Sequence, residues 1–388
     1  MHQGKFVFAQ VIDHIPRYEF QKAVDKYKGN YKVKTFKCWY QFLCLIFGQL
    51  THRESLRDIV TCLNAHPNKL YHMGIKAAVA RSTLSKANEV RDWRIYADIA
   101  HYLIKQARSL YTDDIDFSLE LDNAVYALDA TTIDLCLSVF KWAKFCKNKG
   151  AIKLHTLMDM RGSIPVFIHI SDGLTHDVNV LDILDFEPGA FYVMDRAYVD
   201  FERLYRIDQA LSFFITRAKK NFKFRRIYSR PCDKSKDILC DQVIKLTGYY
   251  TLKAYPDKLR RIKFFDQQTN RKFVFLTNNF ELTAEIICRL YKYRWQIELF
   301  FKWIKQHLKI KVFWGESANA VKTQIWIAVL TYVLVAIIKK RLKLERPIYE
   351  ILQILSISIF EKVPVNQLLM NTELQNQLQP FHNQLKLF

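Results

Sequence analysis

After Asp116 the spacing of apolar residues changes from a helical period to a succession of short apolar runs, and this succession restricts the fold more than any other feature. NAVYALDATTIDL opens with a buried-strand run and is expected to deliver Asp129 at the strand end, just before Ala130-Thr-Thr. AIKLHTLMDM and IPVFIHIS read as two strands joined by the turn Arg161-Gly-Ser-Ile-Pro165, an antiparallel hairpin. HDVNVLDIL reads as a helix, AFYVMDRAYVD as a strand ending at Asp195, FERLYRID as a helix and LSFFITRAK as a fifth strand. Three sequential strands followed by helix, strand, helix and strand is the order of a mixed α/β sheet flanked by helices.

Two strand-end aspartates suit a divalent-cation site. Carboxylates at neighbouring strand ends repel each other, and a hard cation such as Mg²⁺ relieves that repulsion through oxygen ligands. Taken singly, Asp129 also reads as a turn or capping residue feeding the two threonines, and Asp195 as the ion-pair partner of Arg196. Other candidates are weaker. His155 lies in a strand and reads as a core histidine, and Asp177 after His176 reads as a helix cap. No nucleophile-elbow spacing, Walker-type loop or dinucleotide glycine motif occurs, so no cofactor-binding residue is assigned.

A third carboxylate comes from YKYRWQIELFFKWIK, Tyr291 to Lys305, inside a helical pattern predicted from Thr283 to Lys309 without Gly or Pro. Thr283 reads as its N-cap, with Glu285 in the first turn. At about 100° per residue, Tyr291, Arg294, Glu298, Lys302 and Lys305 share a sector roughly 80° wide. Tyr293, Ile297, Phe300, Ile304 and Leu308 fall on the opposite, apolar side. Such a face is ordinary for an amphipathic helix with a salt-bridged glutamate. It is also what a polyanion bound beside a metal ligand would require, because one acid stands among cations.

Charge supports the second reading. The 388 residues carry 59 Lys and Arg against 38 Asp and Glu, a net +21, and half of them are hydrophobic. A globular chain with that excess most often meets nucleic acid, less often an anionic membrane surface. The opening MHQGKFVFAQVIDHIP has no apolar core of signal-peptide type, and the longest apolar run, Ile325 to Ile338, is too short to span a bilayer. It is expected to be a buried helix with a basic end. The eight cysteines form no C-x-x-C pair and no zinc-finger spacing with His, so reduced thiols in a cytoplasmic protein are expected.

The chain divides by pattern into four parts. Residues 1–118 read as a helical N-terminal domain that binds DNA. Within it Thr51-His-Arg-Glu54 looks like a capping box, and a helix capped near Ser82 is expected to run on past Trp93. With the turn from Lys69 to Gly74 this resembles a helix-turn-helix layout, although a plain helical bundle fits as well. Residues 119–218 and 283–345 are expected to form the mixed-sheet core, and 346–388 a helical tail. Residues 219–282 read as a β-rich basic insertion, with QVIKLTGYYTLKAY, KLRRIKFFDQQ and RKFVFLTNN alternating like strands. From Arg217 to Lys236 there are nine Lys or Arg against one acid, interleaved with Phe222, Phe224 and Tyr228. That composition suits a phosphate backbone and stacked bases, or a solvated basic hairpin.

Tyr291-x2-Arg294-x3-Glu298-x6-Lys305 resembles the Y-R-E-K signature of the insertion sequence 4 family of DDE transposases. ALDATTI around Asp129 is similar to that family's first-aspartate motif, DRAYVD around Asp195 to its second, and FITRAKKN to the basic strand beyond it. KLHTLMDMRGSIP, ISDGLTHD and VFWGESANAVKTQIW also resemble family segments, and GKFVFAQVIDHIPRYEFQK an N-terminal domain of one subgroup. The resemblance implies an RNase H-like core interrupted by a β-rich insertion. It also implies cut-and-paste transposition at terminal inverted repeats by a homodimer on double-stranded DNA, in the bacterial cytoplasm at the nucleoid and not at a membrane. By the same resemblance Asp129, Asp195 and Glu298 are the catalytic residues and hold two Mg²⁺ ions, which Mn²⁺ can replace. Tyr291, Arg294 and Lys305 hold phosphates, joined by Lys302 on the same face and by Arg217, Lys219 and Lys220. An RNase H-like nuclease without strand transfer, or a catalytically dead DNA-binding regulator, are the competing readings. Relatives stack a flipped base on a tryptophan of the insertion; residues 199–290 hold no Trp, leaving Tyr249, Tyr250 or Phe222 for that place.

Overall fold

The apolar runs pair into one mixed sheet because each is rich in residues that pack on a pleated surface and each leaves backbone groups that only a neighbouring strand can satisfy. The computed structural model describes residues 4–112, 121–146, 149–307 and 313–370. Ten strands are found there: β1 (Val125–Leu135), β2 (Lys144–Cys146), β3 (Lys149–Asp159), β4 (Ile164–Asp172), β5 (Phe191–Met194), β6 (Phe213–Arg217), β7 (Phe224–Arg230), β8 (Ile238–Leu246), β9 (Lys258–Asp266) and β10 (Arg271–Thr277). Their order is β2-β3-β1-β5-β6-β10-β9-β8-β7, with β4 also paired to β3. β5 runs parallel to both β1 and β6, and the remaining pairings are antiparallel.

The helices before the sheet are α1 (Val7–Ile12), α2 (Arg17–Lys26), α3 (Cys38–Leu50), α4 (Leu56–Asn64), α5 (Pro67–Leu70), α6 (Arg81–Val90) and α7 (Arg94–Tyr111). Within and after the sheet come α8 (Phe201–Gln209), α9 (Tyr249–Ala254), α10 (Ala284–Tyr293) and α11 (Trp295–His307), then α12 (Ala318–Arg341), α13 (Ile348–Ser358) and α14 (Val365–Leu369). The chain forms two compact units, residues 112–302 and residues 1–111 with 303–388.

In the first of these units the two faces of the parallel strands follow residue parity. Tyr126, Leu128, Tyr192, Met194 and Phe214 pack in one cluster with Leu204 and Ile207 of α8. The alternate residues, Ala127, Val193 and Ile215, are equally buried on the other face, and α10 packs against β5 and β6. The sheet is thus covered on both sides where its strands are parallel, as apolar runs without alternation require.

In the other unit α12 is the core. From Ala320 to Ile338 nearly every side chain is buried, and α12 packs on α7, α3, α6 and α13. The helix is long and apolar enough to cross a membrane, yet 94% of its apolar window is buried within the protein. Asn319 in its first turn donates to the Asn88 and Arg91 carbonyls at 3.0 and 2.7 Å and accepts from Trp93 N–H at 3.1 Å. It therefore ties together the break between α6 and α7.

Several sequence expectations are corrected. The helix expected from Ser82 past Trp93 is two helices, and Arg91, at the break, is buried with its guanidinium on Gln41 and the Phe36 carbonyl. The N-cap of α4 is Ser55, accepting from Asp58 N–H at 3.1 Å; Thr51 instead donates to the Phe47 carbonyl at the end of α3. HDVNVLDIL forms a 3₁₀ turn over Asp177–Asp182, not an α-helix. Tyr249–Ala254, expected to be extended, is α9. The expected boundaries also differ from the observed units. β10 pairs with β6, so the strands of residues 219–282 continue the central sheet, and residues from 303 onward group with the N-terminal helices and not with the sheet. Periodicity could not show the second point, because a helix buried all round presents no distinct face to assign.

Candidate active site

The parallel register explains why two distant aspartates meet. Val125, Tyr126, Ala127 and Leu128 stand opposite Phe191, Tyr192, Val193 and Met194. The next residues on the two strands are Asp129 and Asp195, so their carboxylates emerge on the α10 face where the parallel pairing stops. Asp195 is the strand-end residue that the sequence predicts, and its Oδ1 accepts from Arg196 N–H at 2.6 Å. Asp129 is not at a strand end: β1 continues to Leu135, held by β3, with Asp129 opposite Thr156. Only the partner on the β5 side ends there.

The third acid arrives on a broken helix. The pattern predicted from Thr283 to Lys309 divides at Arg294, between α10 and α11. There Arg294 N–H donates to the Tyr291 carbonyl at 3.2 Å and Ile297 N–H to the Arg294 carbonyl at 3.1 Å, both spanning three residues and not four. The Thr283 cap is observed, accepting from Ile286 N–H at 3.3 Å. Ile297, Phe300 and Ile304 are buried and Lys302 and Lys305 exposed, as the periodicity predicts; Leu308 and Lys309 lie outside the described residues.

Arg294 is the hub of the site. Its Nη1 meets Asp129 Oδ2 at 2.8 Å and its Nη2 meets Glu298 Oε1 at 2.5 Å. Its Nε–H, also buried, finds no partner among the described residues. The Tyr291 hydroxyl stands 3.5 Å from Asp195 Oδ1, at the edge of hydrogen bonding, and its ring packs on Phe275 with centroids 4.6 Å apart. Each of the three acids is thus met by Tyr291 or Arg294.

The electrostatics follow from burial. Asp129 is held above the usual carboxylate range, first by loss of water, with Arg294 pulling it down and Asp195 and Glu298 pushing it up. For Arg294 burial opposes the charge, but Tyr291, Asp129 and Glu298 more than compensate and hold the guanidinium charged. Tyr291 is pushed up to about 12, chiefly by burial. When all are ionised, three carboxylates face one guanidinium, an excess of two negative charges. An all-carboxylate set with that excess suits a hard divalent cation. Among the described residues, however, no three His, Cys, Asp or Glu side chains come close enough to hold one ion, and the oxygens of Asp129 and Glu298 are bridged by Arg294. The donor chemistry therefore fits a metal, and Arg294 now occupies one oxygen of Asp129 and one of Glu298.

The remaining predicted residues have surroundings of their own. Arg217, at the end of β6, sits over the Phe273 ring at 4.9 Å and lines an open cavity of about 770 Å³ with Arg271, Lys272 and Phe265. Lys219 and Lys220 are both exposed, and Lys219 donates to the Val199 carbonyl at 2.8 Å, which ties it to the fold. Lys302 and Lys305 follow Glu298 along α11. Tyr249 and Tyr250 are largely exposed on α9, while Phe222 is half-buried and stacked on Phe224. His155 is fully buried, with Nε2 2.9 Å from Ser171 Oγ and Nδ1 without a partner among the described residues. Sequence reasoning missed Tyr198. It is buried in the turn after Asp195, its hydroxyl has no hydrogen-bond partner among the described residues, and burial first, then the charges of Asp129, Asp177 and Asp195 against Arg294, pushes its pKa well up. Its only signal was its place in DRAYVD, three residues beyond the aspartate.

Comparison with known proteins adds the lineage. The model of the transposase DDE domain matches residues 120–334, and a domain of unknown function matches residues 3–76. A Sinorhizobium fredii protein named as transposase y4zB is 32% identical over 61% of this chain and 66% of its own length. A Geobacillus stearothermophilus protein named as the transposase of insertion sequence element IS5377 is 30% identical over 56% of this chain and 57% of its own. The chain thus spans just under two thirds of the first relative and little over half of the second. A Synechocystis protein named for insertion sequence element IS4SA is 25% identical over 80% of this chain and 84% of its own. The solved piggyBac transposase synaptic complex with hairpin DNA matches at 9% identity with a TM-score of 0.44, over 96% of this chain and 80% of that one, a likeness too slight to bear on the fold. DDE transposase domains generally work with divalent metal ions. With its matched domain covering more than half of its residues, this chain belongs to the DDE transposases of the insertion sequence 4 family.

Proposed function

We propose that this protein is a DNA transposase that excises an insertion sequence at its terminal inverted repeats and joins it to new DNA, using an RNase H-like core. The observation that carries the reading is the parallel register that sets Asp129 beside Asp195, with Glu298 joined to Asp129 through Arg294. Asp129, Asp195 and Glu298 would hold two Mg²⁺ ions, for which Mn²⁺ can substitute. Bound there, the ions would activate a water or a 3′-hydroxyl and stabilise the leaving oxygen during phosphodiester hydrolysis and strand transfer.

The protein's own residues do the rest. Asp129 and Asp195 are rigid ligands because both strands are paired up to them. Glu298, more than half exposed, comes to the site on α11. Arg294, Tyr291 and the exposed Lys302 and Lys305 bind phosphates of the transposon end, and Arg217, Lys220, Arg271 and Lys272 extend the cationic surface. Lys219, held by the Val199 carbonyl, contributes charge but not a mobile contact. Residues 1–118 supply further DNA contacts through the helical unit, and two copies of the chain pair the two ends at the bacterial nucleoid.

The test is Glu298→Gln, which keeps the size and hydrogen bonding of the side chain but removes its charge. The variant is expected to bind duplexes carrying the element's ends as the wild type does, and to cut them about a hundred- to a thousandfold more slowly in Mg²⁺, the loss seen when a key charge-stabilising group is removed. Wild-type cleavage by the variant would remove Glu298 from the site. Cleavage by the wild type without joining of pre-cut ends would leave only a nuclease.

A further inference from the structure

We infer that Arg294 is an internal counter-ion that competes with the metal for Asp129 and Glu298, and that its release to a DNA phosphate couples DNA binding to metal binding. The inference rests on the proposed metal site. Its basis is geometric: one guanidinium donates to both carboxylates, at 2.8 and 2.5 Å, through two different nitrogens. A divalent cation on the same oxygens would face a full positive charge within a few ångströms, so the two arrangements exclude each other.

Three further features make Arg294 suited to exchanging partners. It stands at the junction of α10 and α11, where the hydrogen bonds span three residues and the backbone can adjust with little loss. Its Nε–H is buried without a partner among the described residues, so moving the guanidinium toward a phosphate costs that donor no hydrogen bond. Its guanidinium lies 5.7 Å from the centroid of the Tyr291 ring, a surface that tolerates sideways movement of a planar cation. Left unpaired, Asp129 would be a half-buried charge beside two other acids, so the pairing stabilises the metal-free protein. A phosphate that draws Arg294 away exposes the carboxylates to a cation, and a bound cation frees the guanidinium for phosphate. By linkage each ligand must then tighten the other by the same factor.

The experiment measures Mn²⁺ affinity of the full chain by calorimetry, with and without a short duplex of arbitrary sequence, which suffices because phosphate contacts do not depend on sequence. Wild type is expected to bind Mn²⁺ about tenfold more tightly with duplex than without. Arg294→Met is expected to bind Mn²⁺ without duplex about tenfold more tightly than wild type, with the duplex adding little. Arg294→Lys, which keeps the charge but not the fork, should lie between them and serves if Arg294→Met fails to fold. Unchanged or weaker Mn²⁺ binding by folded Arg294 variants overturns the counter-ion role while leaving the metal site standing. Mn²⁺ binding that is absent throughout, or indifferent to Asp129→Asn, overturns the metal site and the inference with it.

Discussion

Arg260 offers the sharpest test of how the sheet positions the catalytic helix. On β9 and 1% exposed, it meets Asp241 of β8, 3% exposed, through Nε–Oδ1 at 2.9 Å and Nη2–Oδ2 at 2.7 Å. Its remaining nitrogen donates to the carbonyls of Leu282 at 2.5 Å and Asn279 at 3.3 Å. Leu282 immediately precedes Thr283, the cap of α10, so this one side chain ties the sheet to the start of the helix that carries Tyr291 and leads to Arg294. Arg260→Met leaves Asp241 buried with, among the described residues, only Arg230, 3.9 Å away, for compensation, and leaves two carbonyls without their donor. Breaking a buried pair from one side costs about 3–5 kcal/mol, and the distant Arg230 places the expectation near 4. Adding Asp241→Leu removes the stranded charge, so the double variant should recover most of the loss. Urea titration read by hydrogen exchange in β8 to β10 follows this unit separately from the helical one. A single variant within about 1 kcal/mol of wild type, or a double variant no better than the single, would refute the reasoning.

Two other outcomes follow from the same physics. Burial lowers His155 from 6.5 to about 4, with His169 and Lys153 acting in the same direction and Asp177 against it. Because the folded value lies below the unfolded one, the unfolded chain takes up the proton first. Stability is therefore full above about pH 6.5 and falls by up to about 3 kcal/mol as pH drops toward 4; a His155→Gln variant whose urea midpoint follows the same pH slope would contradict this. Lys305→Ala should weaken duplex binding and reduce the slope of log affinity against log salt by about 0.9, and an unchanged slope would remove Lys305 from the phosphate contacts.

The linear order of residues already contained the chemistry of this protein. The apolar runs of β1, β3, β4, β5 and β6 were legible because strand-forming residues cluster and Gly and Pro mark the hairpin turn at 161–165. The acids and cations of 291–305 were legible because a helix repeats every 3.6 residues, and the net charge pointed to a polyanion. Local pattern failed where a distant partner decides. YYTLKA has the alternation of a strand but makes a helix, and the uninterrupted run through Arg294 breaks where that residue pairs with two carboxylates. The β-rich segment merges with the central sheet because β10 satisfies the free edge of β6, an event settled by pairing and not by composition.

What the sequence by itself determined, then, is which residues carry charge and which must be buried. That Asp129 stands beside Asp195 depends on the parallel register of strands more than sixty residues apart. That Arg294 lies between the acids, where periodicity places it merely on the same face, depends on the packing of α10 against β5 and β6. Periodicity specifies a side chain's direction from its own helix; only the tertiary fold brings a partner to meet it.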